Sequence, residues 1–193
     1  MTTKIICVGR NYEEHITELG SERPDSMVLF FKPPSSISEL LNAELGEPLH
    51  YEGEICFQIK GGKYHSVGFG LDLTKRQLQS QLKQKGLPWE RSKAFDGAAC
   101  FSEFIELKDH ALESLHLKLE INGSVVQTGG FDLMIYKPIE ILEEIQSFLS
   151  LEDNDIVMTG TPKGVGQVYR GDVFRGSIFA GDECLIAYEW KAV

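Results

Sequence analysis

The chain has 193 residues, of which 42% are hydrophobic and 25% are charged, and its formal net charge at pH 7 is −10. The length and composition predict one globular domain over residues 1–193, and the acidic charge argues against a nucleic-acid partner, because phosphate binding needs a basic face. No apolar run approaches the ~20 residues of a membrane span and no secretory signal is evident, so we expect a cytoplasmic protein that does not enter a membrane.

The first half of the chain predicts three strands and one short helix. An apolar strand at 4–9 is followed by a helix of one or two turns within 10–20, which a glycine would end. A second strand, within 27–37, would stop at a pair of prolines. A third strand covers 49–59.

The middle of the chain adds a strand, a helix and a hairpin. The strand lies at 66–73, and the helix over 74–86 would begin at Thr74, a suitable N-cap. Residues 115–128 alternate apolar and polar side chains around Asn122-Gly123, the dipeptide most typical of a tight hairpin.

A second helix and several short strands complete the chain. Pro138 favours a helix start, and apolar residues recur on one face of the segment 137–150, at positions 139, 142, 145, 148 and 149. Short strands separated by Gly-Asp turns follow. A strand-rich chain with few helices indicates an α+β fold with compact sheet layers.

The four cysteines are far apart and have no zinc-finger spacing. We therefore expect reduced, buried thiols at Cys7, Cys56, Cys100 and Cys184.

Two glutamates interrupt the apolar strand at 49–59. Side chains two apart point to the same face of a strand, so the carboxylates of Glu52 and Glu54 would lie side by side. Such a pair is costly to ionise unless water or a cation offsets the repulsion. One interpretation is an edge strand with a solvated acidic face. The apolar flank, with Ile55, Phe57 and Ile59, favours an interior strand with a shared cation.

A third acidic residue supports the interpretation that a cation is bound. Asp72 lies at the junction between the next predicted strand and a helix, where an aspartate alone would be read as a cap. Glu52, Glu54 and Asp72 together offer only hard oxygen ligands, which suit Mg²⁺, Mn²⁺ or Ca²⁺ better than zinc.

Five ordered blocks of the sequence carry a family resemblance. They are VGRNYEEH, LHYEGE, GFGLDLTKRQLQ, GLPWERSKAFDGAA and VMTGTPKGVG. In this order they resemble the fumarylacetoacetate hydrolase family, and most closely its compact acylpyruvase and fumarylpyruvate hydrolase branch. The resemblance implies a mixed β-roll, usually a homodimer, in which Glu52, Glu54 and Asp72 bind Mg²⁺ or Mn²⁺, or Ca²⁺ in a crystal.

His15 and Glu18 are three residues apart in the first predicted helix, hence neighbours on one face. Spacing alone favours a surface pair. The family resemblance instead implies a catalytic dyad, in which the carboxylate fixes the imidazole tautomer and raises its basicity for activating water.

Four further residues complete the predicted site. Arg76 and Gln79 share one helix face, and the resemblance implies that they contact substrate. It also implies that Lys93, in a loop-like stretch, offers a positive charge to a developing enolate. The turn TGTPKGVG is not a P-loop, but its backbone N–H groups can bind a carboxylate, and Thr161 is our candidate for that contact.

These residues imply hydrolysis of a carbon–carbon bond in a short acylpyruvate, such as fumarylpyruvate or acetylpyruvate. A water activated by His15 would attack the 4-carbonyl, with the released enolate stabilised by the ion and by Lys93. The alternative is decarboxylation of oxaloacetate, or isomerisation or tautomerisation of a 2-hydroxy-dienoate, through the same kind of enolate. A non-catalytic binder of metal and keto acid is a third hypothesis.

Two features depart from the family pattern. Gly53 lies between the glutamates, where a bulkier apolar residue is commoner, and Ala98-Ala99 replace a stretch that often carries a small hydroxyl residue. Either change can alter the substrate pocket.

Overall fold

The computed structural model describes residues 3–108 and 110–193. Within them lie fourteen strands and four α-helices. The strands are β1 (Ile5–Gly9), β2 (Val28–Lys32), β3 (Leu49–Tyr51), β4 (Gly53–Lys60), β5 (Lys63–Asp72), β6 (Thr74–Lys75), β7 (Ala99–Phe101), β8 (Ile105–Glu106), β9 (Leu115–Ile121), β10 (Ser124–Gly130), β11 (Ile156–Met158), β12 (Gly166–Gln167), β13 (Val173–Ala180) and β14 (Glu183–Lys191). The helices are α1 (Glu13–Glu18), α2 (Arg76–Gln84), α3 (Glu90–Lys93) and α4 (Pro138–Phe148).

The strands form three sheets. The largest has the order β2-β1-β11-β4-β5-β7, with β8 also paired to β5. A second sheet has the order β10-β9-β13-β14, and a small third sheet has the order β12-β3-β6. The β1–β11 pair is parallel and the other strand pairs are antiparallel. This confirms the predicted strand-rich α+β class.

The main core lies between the large sheet and the four-stranded sheet. Phe69 of β5 and Trp190 of β14 meet there, with ring centroids 6.1 Å apart. Gly176 of β13 permits this close approach, because a Cβ at that position would lie 2.3 Å from the Phe69 ring. Helix α4 packs on the same face of the large sheet, where its Ile141 and Ile145 contact the end formed by β1 and β11.

The opposite face of the large sheet carries the predicted acids. Because side chains alternate along a strand, Glu54 and Cys56 point away from the core that contains Ile55 and Phe57. Asp72, opposite Ala99 in the β5–β7 pair, lies on that same outer face. The α4 side of the sheet thus supplies stability, while its other side supplies the polar cluster.

Two local predictions are wrong in an informative way. The strand predicted at 49–59 is two strands, because the chain leaves the small sheet after β3 and enters the large one at β4, with Glu52 between them. Thr74 is not a helix cap: it belongs to β6, pairs with His50 and is fully buried, and α2 begins only at Arg76.

Two burial predictions also need correction. In α4, Ile139 and Phe148 are 50% and 57% exposed, because the buried face is formed by Pro138, Ile141, Leu142 and Ile145. All four cysteines are free, but Cys184 is exposed and only the other three are buried. No helix in the described residues is long and apolar enough to cross a membrane.

Candidate active site

The break between β3 and β4 brings three carboxylates together. The Asp72 N–H donates to the Glu52 carbonyl oxygen at 2.8 Å, which holds the end of β5 beside the break. Candidate ligand oxygens of Glu52, Glu54 and Asp72 all lie within 4.8 Å of one another. The three residues are 6%, 1% and 0% exposed. Burial this complete rules out the solvated acidic edge considered for the sequence.

Three cations surround two of these acids. The Lys93 ammonium donates to Glu52 Oε2 at 2.8 Å and to Asp72 Oδ2 at 2.7 Å. Arg76 contacts the other Glu52 oxygen. Lys32 Nζ lies 2.8 Å from Asp72 Oδ1. Lys32 was missed by the sequence interpretation, although a lysine that ends an apolar strand and has its side chain on the interior face is a recognisable signal.

Glu54 has a different environment. Its Oε2 accepts the Gly160 N–H at 2.7 Å, and no lysine or arginine of residues 3–108 and 110–193 forms an ion pair with it. Burial, and then repulsion from Asp72 and Glu52, raises the pKa of Glu54 well above its ordinary value. Burial also opposes ionisation of Glu52, but Lys93, Arg76 and His15 hold the pKa of that carboxyl well below its usual range.

The cluster fits a hard divalent ion. Its donors are carboxylate oxygens, the chemistry that Mg²⁺ and Mn²⁺ prefer. Asp72 Oδ1 is buried without a hydrogen-bond partner, because its contact with Lys32 lacks hydrogen-bond geometry. Glu54 is buried without a cation of its own. A divalent ion between the carboxylates would give Asp72 Oδ1 a partner and would offset the charge of Glu54, so Glu52, Glu54 and Asp72 could hold one.

The predicted dyad forms on α1. His15 Nδ1 lies 3.2 Å from Glu18 Oε2, and the other Glu18 oxygen accepts the Gly164 N–H at 2.9 Å. His15 is buried, whereas Glu18 is partly exposed. This geometry assigns the Nδ1 proton to the hydrogen bond with Glu18, which leaves Nε2 as the basic nitrogen.

One pocket brings the predicted residues together. Eight of the nine predicted site residues line it: His15, Glu52, Glu54, Asp72, Arg76, Gln79, Lys93 and Thr161. Glu18 lies behind His15. Lys93 is in the short helix α3 rather than in a loop, and only 3% of it is exposed.

The remaining predicted residues form a support network. Arg76 donates to Gln79 Oε1 at 2.9 Å, so it connects Gln79 to the carboxylate cluster. The Thr161 hydroxyl donates to the Gly53 carbonyl at 2.9 Å and accepts from Gln127 Nε2 at 2.8 Å. Gln127 Oε1 in turn accepts the Gly53 N–H at 2.9 Å. Gln127 holds the backbone between the two glutamates, and its place in the hairpin gave no sign of this role.

Comparisons with known proteins identify the family of this chain. Residues 4–187 match the family model described as fumarylacetoacetate (FAA) hydrolase C-terminal. The oxaloacetate tautomerase of Escherichia coli (strain K12) is 35% identical over 188 residues, which cover 88% of this chain and 85% of that protein.

Solved structures show the same fold. A protein from Oleispira antarctica superposes with a TM-score of 0.91 at 34% identity, over 99% of this chain and 93% of that chain. The fumarylpyruvate hydrolase of Pseudomonas aeruginosa, solved in complex with Mn²⁺ and pyruvate, gives a TM-score of 0.86 at 29% identity, over 98% of this chain and 89% of that chain.

The matches extend over nearly the whole chain and include the blocks from which the carboxylates, the dyad and Lys93 come. The resemblance noted in the sequence is thereby confirmed: this chain belongs to the fumarylacetoacetate hydrolase family.

Proposed function

We propose that the protein is a divalent-metal-dependent enzyme acting on a short 2-keto acid, and that its principal reaction is keto–enol tautomerisation of an oxaloacetate-like substrate. The name of the Escherichia coli relative, at 35% identity, supports this reaction over carbon–carbon hydrolysis, which the sequence alone favoured. Tautomerisation requires only a movable proton and stabilisation of enolate charge.

One observation carries the proposal: a buried histidine held by a carboxylate lines the same pocket as a carboxylate cluster and its lysine. An enolate site needs a base on one side and fixed positive charge on the other. His15 supplies the base and Lys93 supplies fixed charge.

Glu52, Glu54 and Asp72 would hold Mg²⁺ or Mn²⁺. When bound there, such an ion supplies Lewis-acid stabilisation for the negative charge that develops on the 2-oxo oxygen. The Lys93 ammonium is fixed in the pocket by two carboxylates and the Thr74 hydroxyl. Although burial disfavours its charge, Asp72 and Glu52 raise the pKa of Lys93, so it stays protonated near neutral pH.

His15 would move the proton. Its Nε2 accepts a proton from carbon 3 of the keto form, and the C–H electron pair becomes the carbon–carbon double bond of the enolate. The imidazolium then returns that proton to the enolate oxygen, which gives the enol, and the reverse sequence restores the ketone. Glu18 stabilises the transient positive charge on the imidazole through the Nδ1 hydrogen bond.

A second candidate is hydrolysis of an acylpyruvate. The Pseudomonas aeruginosa neighbour is a fumarylpyruvate hydrolase, and its complex holds Mn²⁺ and pyruvate, the product that such cleavage would release. The same His15 base could deprotonate water. Decarboxylation of oxaloacetate needs the enolate stabilisation but no base.

The test compares three reactions in one buffer with Mg²⁺. Enol–ketone interconversion of oxaloacetate and loss of acetylpyruvate are followed by ultraviolet absorbance, and decarboxylation by pyruvate release. We expect His15→Gln to lower tautomerisation about 10²-fold or more, as loss of a general base does. The matched control, His65→Gln, changes a histidine outside the pocket and should leave the rate unchanged.

The outcomes separate the candidates. Fast tautomerisation with slow acetylpyruvate loss supports the proposal. The converse result favours the hydrolase. A wild-type protein inactive in all three reactions contradicts both and leaves the non-catalytic binder.

A further inference from the structure

Two cations of the pocket have no part in the chemistry described above. Arg10 and Lys83 both line it, yet within residues 3–108 and 110–193 neither side chain forms an ion pair or a hydrogen bond. The other pocket cations, Arg76 and Lys93, are already matched by Glu52 and Asp72. Arg10 and Lys83 therefore provide positive charge that no acidic side chain of the described residues pairs with directly.

Arg10 is held rigidly at this position. It follows β1 with φ of 57°, a left-handed conformation that is costly for a residue with a side chain. The next residue, Asn11, is fully buried and anchors the loop with three hydrogen bonds, to Tyr136 N at 2.7 Å, Tyr136 O at 3.0 Å and Thr159 O at 2.8 Å. The fold thus maintains a strained backbone that places an arginine at the pocket.

Lys83 is presented from the last turn of α2. Its ammonium lies 4.4 Å from the centroid of the Trp89 ring, and Trp89 also lines the pocket. Burial, and then repulsion from Arg10, Arg76 and Lys93, lowers the pKa of Lys83 to about 8. A bound anion would relieve this repulsion.

We propose that Arg10 and Lys83, with Trp89 beneath the lysine, form a subsite for the second carboxylate of a dicarboxylic 2-keto acid. This inference rests on the proposed function, because the keto-acid head would be held at the carboxylate cluster. The net charge of the pocket also favours a dianion. The three acids are offset by Lys32, Arg76 and Lys93, which leaves the divalent ion and the two free cations to attract a dianion. A monocarboxylate would leave Arg10 and Lys83 without a partner.

The test uses two unreactive ligands with the same 2-hydroxy acid head. L-malate carries one carboxylate more than L-lactate, so the ratio of their affinities measures the second carboxylate alone. Both are titrated by calorimetry into the Mg²⁺-loaded protein. We expect the wild type to bind malate at least tenfold more tightly than lactate, as charge-assisted hydrogen bonds allow. The double variant Arg10→Gln/Lys83→Gln should bring this ratio to within about twofold of one.

The control variant is Lys85→Gln, which removes one positive charge from the exposed end of the same helix, outside the pocket. It should leave the ratio unchanged, which separates a local contact from the general field of the protein. Oxalate, which has no distal carboxylate beyond a chelating head, should bind wild type and double variant alike and so report proper folding.

The results distinguish this inference from the catalytic proposal. A malate preference that persists in the double variant overturns the subsite, and so does failure of the wild type to prefer malate. If the preference is present and is lost in the double variant while no keto acid is turned over, the subsite stands and the proposed reaction falls.

Discussion

Replacing Glu54 by glutamine should stabilise the protein in the absence of metal and abolish its response to Mg²⁺. Glu54 is 1% exposed, accepts one hydrogen bond and has no cation of its own, while two further carboxylates lie nearby. Glutamine keeps the acceptor for the Gly160 N–H and offers an amide donor to a neighbouring carboxylate, without the charge.

The gain follows from the cost of an uncompensated buried acid. We expect roughly 1–3 kcal/mol in the free energy of unfolding, well below the ideal Born cost because the acid can protonate. For a chain of this length, 1 kcal/mol shifts Tm by about 2–4 °C, so the variant should melt roughly 2–12 °C higher in EDTA. Wild type should gain about 2.7 kcal/mol from Mg²⁺ at a hundred times its Kd, and the variant almost nothing.

The assay is thermal unfolding by circular dichroism, in EDTA and in millimolar Mg²⁺. Glu143→Gln, the same change on an exposed face of α4, is the matched control and should alter neither Tm. A Glu54→Gln protein that melts below wild type in EDTA, or whose Tm still rises with Mg²⁺, would refute the claim that Glu54 is a metal ligand with an uncompensated charge in the metal-free protein.

Four further predictions concern other parts of the structure. Lys93→Met leaves two buried carboxylates without their shared cation, so urea unfolding in EDTA should show a loss of about 3–5 kcal/mol; a loss below ~1 kcal/mol would contradict this. Lys83 is faced by Arg10, Arg76, Lys93 and Glu52, and it is charged below its pKa of about 8 and neutral above it. In the wild type, kcat/KM for oxaloacetate should therefore fall as the pH rises through about 8, because Lys83 loses its charge. In Lys83→Gln this fall should be absent. Gly176→Ala should cost about 1–3 kcal/mol in urea unfolding, because its Cβ would overlap the Phe69 ring, and an unchanged midpoint would mean that the sheets separate easily. Light scattering should give twice the 21.6 kDa chain mass if the homodimer implied by the family forms, and a single chain mass would remove that expectation.

A helix, strand or turn was predictable wherever a single periodicity or a single turn signal in the sequence determines its type. The Asn122-Gly123 hairpin is confirmed, with both residues at positive φ, as a type I′ turn requires. The start of α4 at Pro138 is also confirmed. Its buried face was misjudged, because the sheet beneath selects Ile141 over Ile139, and this depends on how the helix docks rather than on spacing.

The candidate site was less predictable, since it depends on contacts between distant residues. The acids could be identified because two carboxylates in an apolar strand are costly without a cation. Gln127 could not be placed, because it reaches the site from β10, which is far from the acids in sequence. Lys83 lies on α2 together with Arg76 and Gln79, but only the docking of that helix shows that its side chain also lines the pocket. The break at Glu52 was also not predicted, because apolar and polar side chains keep alternating along the sequence even where the chain passes from one sheet to another.

The central claim is that Glu52, Glu54 and Asp72 hold a divalent ion to which a 2-keto acid head binds. A crystal grown with Mn²⁺ and oxalate, measured at an energy where manganese scatters anomalously, tests it most directly. We predict one strong anomalous peak within about 2.2 Å of an oxygen from each of the three carboxylates, with oxalate completing its coordination. A peak elsewhere, or an undisturbed contact of Lys93 with both Glu52 and Asp72 and no manganese between the acids, would contradict the claim.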